Sequence, residues 1–258
     1  RRTADSLPVL NPADESVIGA LPVAGRADLD DALAAAERGF RVWSRTSPRA
    51  RGDLILRACA ILRGRVDEIA ADITREHGKP FRQAQLEVIR GCEFFEWDAA
   101  EGQRLYGPVI PSAPGIRYRT HRQPVGTVAA FSPWNFPMSQ PARKIAGALA
   151  SGCSIILKAA EETPAGALHI ARAFHEAGLP AGVFNLVFGV PADISAYLIP
   201  QEQVRLVAFT GSTAVGRHLT ELAARAMTPG LMELGGHAPV SVCEDVDAAA
   251  ARRMAAIR

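Results

Sequence analysis

Val204-Arg205-Leu206-Val207-Ala208-Phe209-Thr210-Gly211-Ser212-Thr213-Ala214-Val215-Gly216 decides how this chain folds. Val204–Phe209 is a short apolar run, which reads as a buried strand. Thr210-Gly211 forms the turn, and Ser212 opens a helix toward Ala226. A helix N-terminus offers free N–H groups and partial positive charge, which suits a pyrophosphate. Gly211 lets backbone approach such an anion closely. The Gly211-x4-Gly216 spacing is that of a phosphate loop. Arg217-His218 stand where that loop needs Lys-Ser/Thr, which argues against nucleotide hydrolysis. The GxGxxG fingerprint is absent. Taken alone, the loop fits a plain capped helix equally well.

Working outward, the same strand-turn-helix unit recurs. Val125–Phe131 reads as a strand, with a helix after Pro137. Ser154–Lys158 is a strand, and Thr163-Pro164 starts a helix toward Ala177. Val183–Phe188 is a strand, with a helix near Asp193–Leu198. Such alternation predicts an α/β fold, a Rossmann-like parallel sheet with helices on both faces. Ligands of such sheets bind beyond the carboxyl ends of the strands.

The first 24 residues read as extended. Ala27–Trp43 has the spacing of a helix. Ser47-Pro48 caps a second helix running to His77, ended by Gly78-Lys79-Pro80. A third covers Phe81–Leu105. Residues 106–124 are punctuated by proline and glycine and predict a protruding hairpin. Pro239–Cys243 reads as a strand.

Composition narrows the function. A net charge of +2 on 258 residues gives no reason to expect nucleic acid or an anionic membrane. The longest nearly continuous apolar stretch, Ile145–Leu157, is too short to span a bilayer. Arg1–Asp5 lacks an apolar signal core. Cysteines 59, 92, 153 and 243 form no CxxC pair and read as reduced thiols of a cytoplasmic protein. Cys243 reads as a core thiol. The histidines show no ligand spacing, so no metal is expected.

Several residues at predicted strand ends are suited to chemistry. Asn135, in the loop Phe131-Ser132-Pro133-Trp134-Asn135-Phe136-Pro137, has a side-chain N–H suited to a developing oxyanion. It also fits an ordinary turn asparagine. Lys158 and Glu161 are placed to grip ribose hydroxyls, or to lie on a solvated face. Glu233, among apolar neighbours in Met232-Glu233-Leu234-Gly235-Gly236, is expected to be a base with a raised pKa.

In this order and spacing, the motifs resemble the aldehyde dehydrogenase family over nearly the whole chain. The resemblance implies that Asn135 is half of an oxyanion hole and Glu233 the general base. It implies a bound NAD or NADP. The contacting residues would be Ser132, Pro133, Trp134, Asn135, Lys158, Ala160, Glu161, Gly189, Phe209, Gly211, Ser212, Val215, Leu234 and Gly235. Residues 1–105 and 125–236 would form the cofactor-binding domain, 106–124 the oligomerisation hairpin, and 237–258 the start of a catalytic domain. The full-length form would be a homo-oligomer, dimer or tetramer.

The string Glu233–Val240, with His237 where many relatives have lysine, resembles a branch that acts on carboxylated semialdehydes. Arg143 would then pair with the far carboxylate, or be a surface arginine. The family's nucleophilic cysteine would fall after Arg258, so this chain alone is expected to oxidise no aldehyde. Rival readings are a cofactor-binding fragment or pseudoenzyme, a structural subunit, and a CoA-acylating relative. Glu233 argues against the last.

Overall fold

The computed structural model describes residues 6–237 and 239–255. Arg1–Asp5, and part of the segment 237–258, lie outside the described residues. The chain opens with an antiparallel pair, β1 (Ser6–Leu10) and β2 (Val17–Pro22). Helices α1 (Arg26–Trp43), α2 (Pro48–Arg63), α3 (Val66–His77) and α4 (Phe81–Glu101) follow.

The single helix expected over 48–77 is in fact two. Gly64 and Arg65 donate their N–H groups to Ala60 and Leu62, which tightens and ends α2. Arg65 turns outward and meets Glu176 at 2.8 and 2.9 Å. Elsewhere local signals held. Ser47 caps α2 by accepting from Ala50 N, with Pro48 in the first turn. Gly78, at φ 76°, ends α3 in the left-handed conformation.

Residues 106–124 contain two short strands, β3 (Val109–Ile110) and β4 (Tyr118–Arg119), paired antiparallel and exposed. A Cβ on Gly107 would lie 1.9 Å from Thr120 O, so only glycine lets the two arms close.

The rest of the chain builds the sheet. Its strands are β5 (Thr127–Phe131), β6 (Ser154–Lys158), β7 (Phe184–Val187), β8 (Val204–Gly211) and β9 (Gly230–Leu234). All neighbours are parallel, in the order β7-β6-β5-β8-β9. Between them run α5 (Ser139–Ser151), α6 (Ala165–Glu176), α7 (Pro191–Leu198) and α8 (Thr213–Arg225), and α9 (Ala248–Ala255) closes the described chain. The fold is α/β, a parallel sheet between two helical layers.

Side chains on a strand alternate between faces, which splits the core in two. Val128, Ala130, Ile155 and Leu157 pack with α2 to α6. Ala129, Phe131, Ile156, Val207 and Phe209 pack with α1, α7 and α8. This explains the continuous apolar runs of β5 and β6, buried on both faces. The order reverses direction between β5 and β8, which leaves a crevice at their carboxyl ends.

Pro239–Cys243 is not a strand, and Cys243 is exposed rather than a core thiol. No described strand pairs with this segment, so its apolar residues have no layer to enter. Cys59, Cys92 and Cys153 are buried as packing residues.

Candidate functional site at the carboxyl edge of the sheet

Register places the candidate residues along one edge. Phe131 lies beside Lys158 on one side and Phe209 on the other. Thr210 lies beside Glu233. Neighbouring strands are about 5 Å apart, so the ends of β6, β5, β8 and β9 span roughly 15 Å.

At the end of β5, Ser132 is buried and its Oγ has no hydrogen-bond partner among the described residues. A buried hydroxyl without a partner is costly, so a polar ligand at this point would satisfy it. Pro133 is partly covered, and Trp134 and Asn135 are exposed. Lys158, buried at the end of β6, pairs with Glu161, and Ala160 is buried beside them. Gly189 follows β7, is buried, and takes φ 144°.

At the end of β8, Gly211 is half-buried and Ser212 caps α8 by accepting from Val215 N at 3.3 Å. Val215 is an exposed apolar side chain on the first turn. Helix α8 lies close to β9, for a Cβ on Gly216 would stand 2.4 Å from Leu234 Cδ2. Leu234 and Gly235 are exposed at the far end of the edge.

Glu233 corrects an expectation. Its side chain is exposed and is not held among apolar groups. The cause is position, because β9 is the edge strand and has a neighbour only in β8. Its close electrostatic partner is Lys144, a residue whose role the sequence did not suggest. Lys144 projects from α5 and donates to Thr210 Oγ1 at 2.8 Å. Burial pushes its ammonium down to about 8, and Arg143 adds to this, while the Glu233 carboxylate opposes it.

A signal for Lys144 existed. The chain has only three lysines, at 79, 144 and 158, against a much larger number of arginines. All three are largely covered side chains that reach loops or strand ends at the carboxyl edge.

Helix α5 is held at both ends. Glu87 Oε1 accepts from Met138 N and Ser139 N at 2.9 and 3.1 Å. Trp43 Nε1 donates to Leu149 O and Arg51 Nε to Ala150 O, at 2.8 and 3.1 Å. An acid at the N-terminus and a base at the C-terminus both suit the helix dipole. On α5, Arg143 is exposed, with its guanidinium 4.3 Å from the centre of the Phe94 ring.

Two clefts meet at Arg143. One, about 940 Å³, lies against β5, β8 and β9 and reaches Lys144, Thr210, Glu233 and Leu234. The other, about 470 Å³, runs between α4 and α5 past Arg90, Phe94, Phe136 and Gln140. The residues expected at a dinucleotide lie mostly outside the larger cleft, at the ends of β5, β6, β7 and β8. Among the described residues, no group of three or more His, Cys, Asp or Glu side chains is placed to hold a metal. No described helix is long and apolar enough to cross a membrane.

Comparison with known proteins fits this geometry. The sequence model of the aldehyde dehydrogenase family matches residues 1–257. The 4-(hydroxymethyl)benzenesulfonate dehydrogenase TsaD1 of Comamonas testosteroni is 45% identical over 249 residues, 96% of this chain and 52% of that protein. The crystal structure of succinate-semialdehyde dehydrogenase from Burkholderia pseudomallei superimposes with a TM-score of 0.95 at 36% identity. It aligns with 98% of this chain and 53% of its own. PnpE, solved with nicotinamide adenine dinucleotide, gives a TM-score of 0.87 at 35% identity, over 90% of this chain and 48% of its own. The chain thus spans about half the length of the relatives it matches. With a family match along almost its whole length and the site residues on the carboxyl edge of a parallel sheet, this chain belongs to the aldehyde dehydrogenase family.

Proposed function

We propose that the carboxyl edge binds NAD or NADP, and that the chain contributes Asn135 and Glu233 to oxidation of an anionic aldehyde to its acid. One observation carries this reading. A buried hydroxyl without a partner (Ser132), a lysine-carboxylate pair (Lys158 and Glu161) and a capped helix N-terminus (Ser212) stand on adjacent strands. The pair suits ribose hydroxyls, and the helix end suits a pyrophosphate. PnpE, a relative of similar fold, was solved with this dinucleotide.

Ser132, Lys158, Glu161 and Ser212 would hold the dinucleotide, whose nicotinamide would supply the hydride acceptor. Other residues of this chain have other tasks. Asn135 donates its side-chain N–H to the aldehyde oxygen as a thiolate adds to the carbon, steadying the negative charge. Glu233 removes a proton from the water that hydrolyses the resulting thioester. Lys144 and Thr210 hold the approach to that carboxylate. Arg143, stacked on Phe94 and in no ion pair among the described residues, faces the acidic tail of the substrate. Relatives named for succinate semialdehyde and for a benzenesulfonate share an anionic substrate, which supports that class. The hairpin 106–124 serves association of copies, and its exposed Tyr106, Val109, Ile110 and Tyr118 support that role.

The thiolate is not assigned to the buried Cys59, Cys92 or Cys153. Cys59 and Cys92 are buried between α2 and α4, Cys153 precedes β6 at the amino end of the sheet, and Cys243 follows β9 in an exposed segment. This placement favours a second reading of the isolated chain, as a cofactor-binding unit with no turnover of its own.

Titration of the purified, folded chain with NAD+ and NADP+ tests the proposal. Saturable binding of at least one is expected, and affinity for neither defeats it. Steady cofactor reduction by the chain with aldehyde would refute the second reading.

A further inference from the structure

The loop that bears Asn135 is gripped from outside the sheet, by the turn between α3 and α4 and the first turns of α4. Lys79 Nζ donates to Asn135 O at 3.1 Å and sits 4.3 Å from the centre of the Phe136 ring. The same ammonium pairs with Glu87, and only 9% and 3% of the two side chains are exposed. Glu87 in turn accepts from Met138 N, Ser139 N and, at 3.4 Å, Ser139 Oγ. One buried ion pair therefore touches the backbone at 135, 138 and 139.

His77, two residues before Lys79, completes the grip. Its ring lies 5.9 Å from that of Trp134, and burial pushes its pKa down, with Lys79 adding to the effect. Neither ring nitrogen makes a well-aligned hydrogen bond among the described residues, and the Asn135 backbone lies near enough to oppose part of that shift. The imidazole forms a wall behind Trp134. Thr163 Oγ1 donates to Trp134 O at 3.3 Å from the other side. Residues 134 to 139 are held by side chains rather than by a sheet ladder.

A buried ion pair is a weak source of stability, because desolvation offsets most of its Coulomb attraction. It is well suited to fixing one conformation among several. We propose that Lys79 and Glu87 are positioning residues: their ion pair fixes the Asn135 loop against the first turn of α5 and so aims the Asn135 side chain. The functional part of this inference rests on the role proposed for Asn135. The mechanical part does not.

Amide hydrogen exchange, with NAD+ titration alongside, tests it on the parent chain, Lys79→Met, Lys79→Arg and the double variant Lys79→Met/Glu87→Gln. The double variant leaves no unpaired charge and decides the case if Lys79→Met fails to fold. Local loosening predicts exchange at residues 134–139 faster by about tenfold, with β5 and β6 unchanged. NAD+ affinity should weaken by about threefold or more. Lys79→Arg, which keeps the charge, should restore both. Loop exchange within about twofold of the parent in a folded double variant would overturn the proposal. So would exchange rising equally throughout the chain, or a double variant that does not fold, since the pair would then hold the whole domain. Failure of the parent chain to bind either cofactor would count against the proposed function and leave the exchange result standing.

Discussion

Lys144 on α5 donates to Thr210 Oγ1 on β8 across 2.8 Å, and Thr210 stands beside Glu233 in the parallel register of β8 and β9. This contact ties the helix that carries Arg143 to the strand end beside the proposed base. It also places a partly neutral amine opposite a carboxylate, for Lys144 is pushed down to about 8.

Competitive acetylation read by mass spectrometry should show Lys144 titrating near 8, against about 10.4 for a free lysine. Glu233 holds the value up, so Glu233→Gln should lower the midpoint further. A midpoint near 10, or one that ignores Glu233→Gln, would show that the two groups do not communicate.

Glu76 gives a pH dependence. Burial pushes its carboxyl up to about 8, opposed by the Ala165 N–H and reinforced by Asp72. Between about 4.5 and 8 the folded chain keeps a proton that the unfolded chain has lost, so stability falls as pH rises. Glu76→Gln keeps an acceptor for Ala165 N at the start of α6 and removes the titration. Its stability advantage should grow from pH 5 to pH 8 by up to about 1.4 kcal/mol per pH unit. Urea melts at a series of pH values measure this, and a constant difference would contradict it.

Cofactor choice should turn on Glu161. Its carboxylate, paired with Lys158, would stand near a 2′-phosphate and repel it. Glu161→Gln removes the repulsion and frees Lys158 to meet that phosphate. The NADP+ to NAD+ affinity ratio should rise by about tenfold, equivalent to about 1.4 kcal/mol. An unchanged ratio in calorimetric titrations would place the ribose elsewhere.

The substrate-charge reading has its own test, in a catalytically competent form that carries this segment. Arg143→Ala should raise KM for succinate semialdehyde by about tenfold or more, the worth of a charge-assisted hydrogen bond, and leave uncharged aldehydes little affected. Equal effects on both would return Arg143 to the role of a surface arginine stacked on Phe94.

Much of this was legible in the residues themselves. Buried parallel strands are apolar on both faces, so Ser154–Lys158 and Val204–Phe209 stand out as runs between turn signals. Ser47, Pro48, Gly78 and Ser212 mark helix ends by local capping chemistry. Those features arise within a few residues of chain. The helix break at Gly64-Arg65 was not legible, because Arg65 settles against Glu176 from a distant helix.

Sequence alone determined the strand-turn-helix order, and with it which loops lie at the carboxyl edge, since alternation of parallel strands permits little else. Only the tertiary structure decided the surroundings of those loops. It set Glu233 on an open edge strand, brought Lys144 to Thr210, and put the Lys79–Glu87 pair behind Asn135. The reason is physical: periodicity and capping act through neighbours in the chain, whereas burial and charge pairing depend on residues that meet only when helices pack on the sheet.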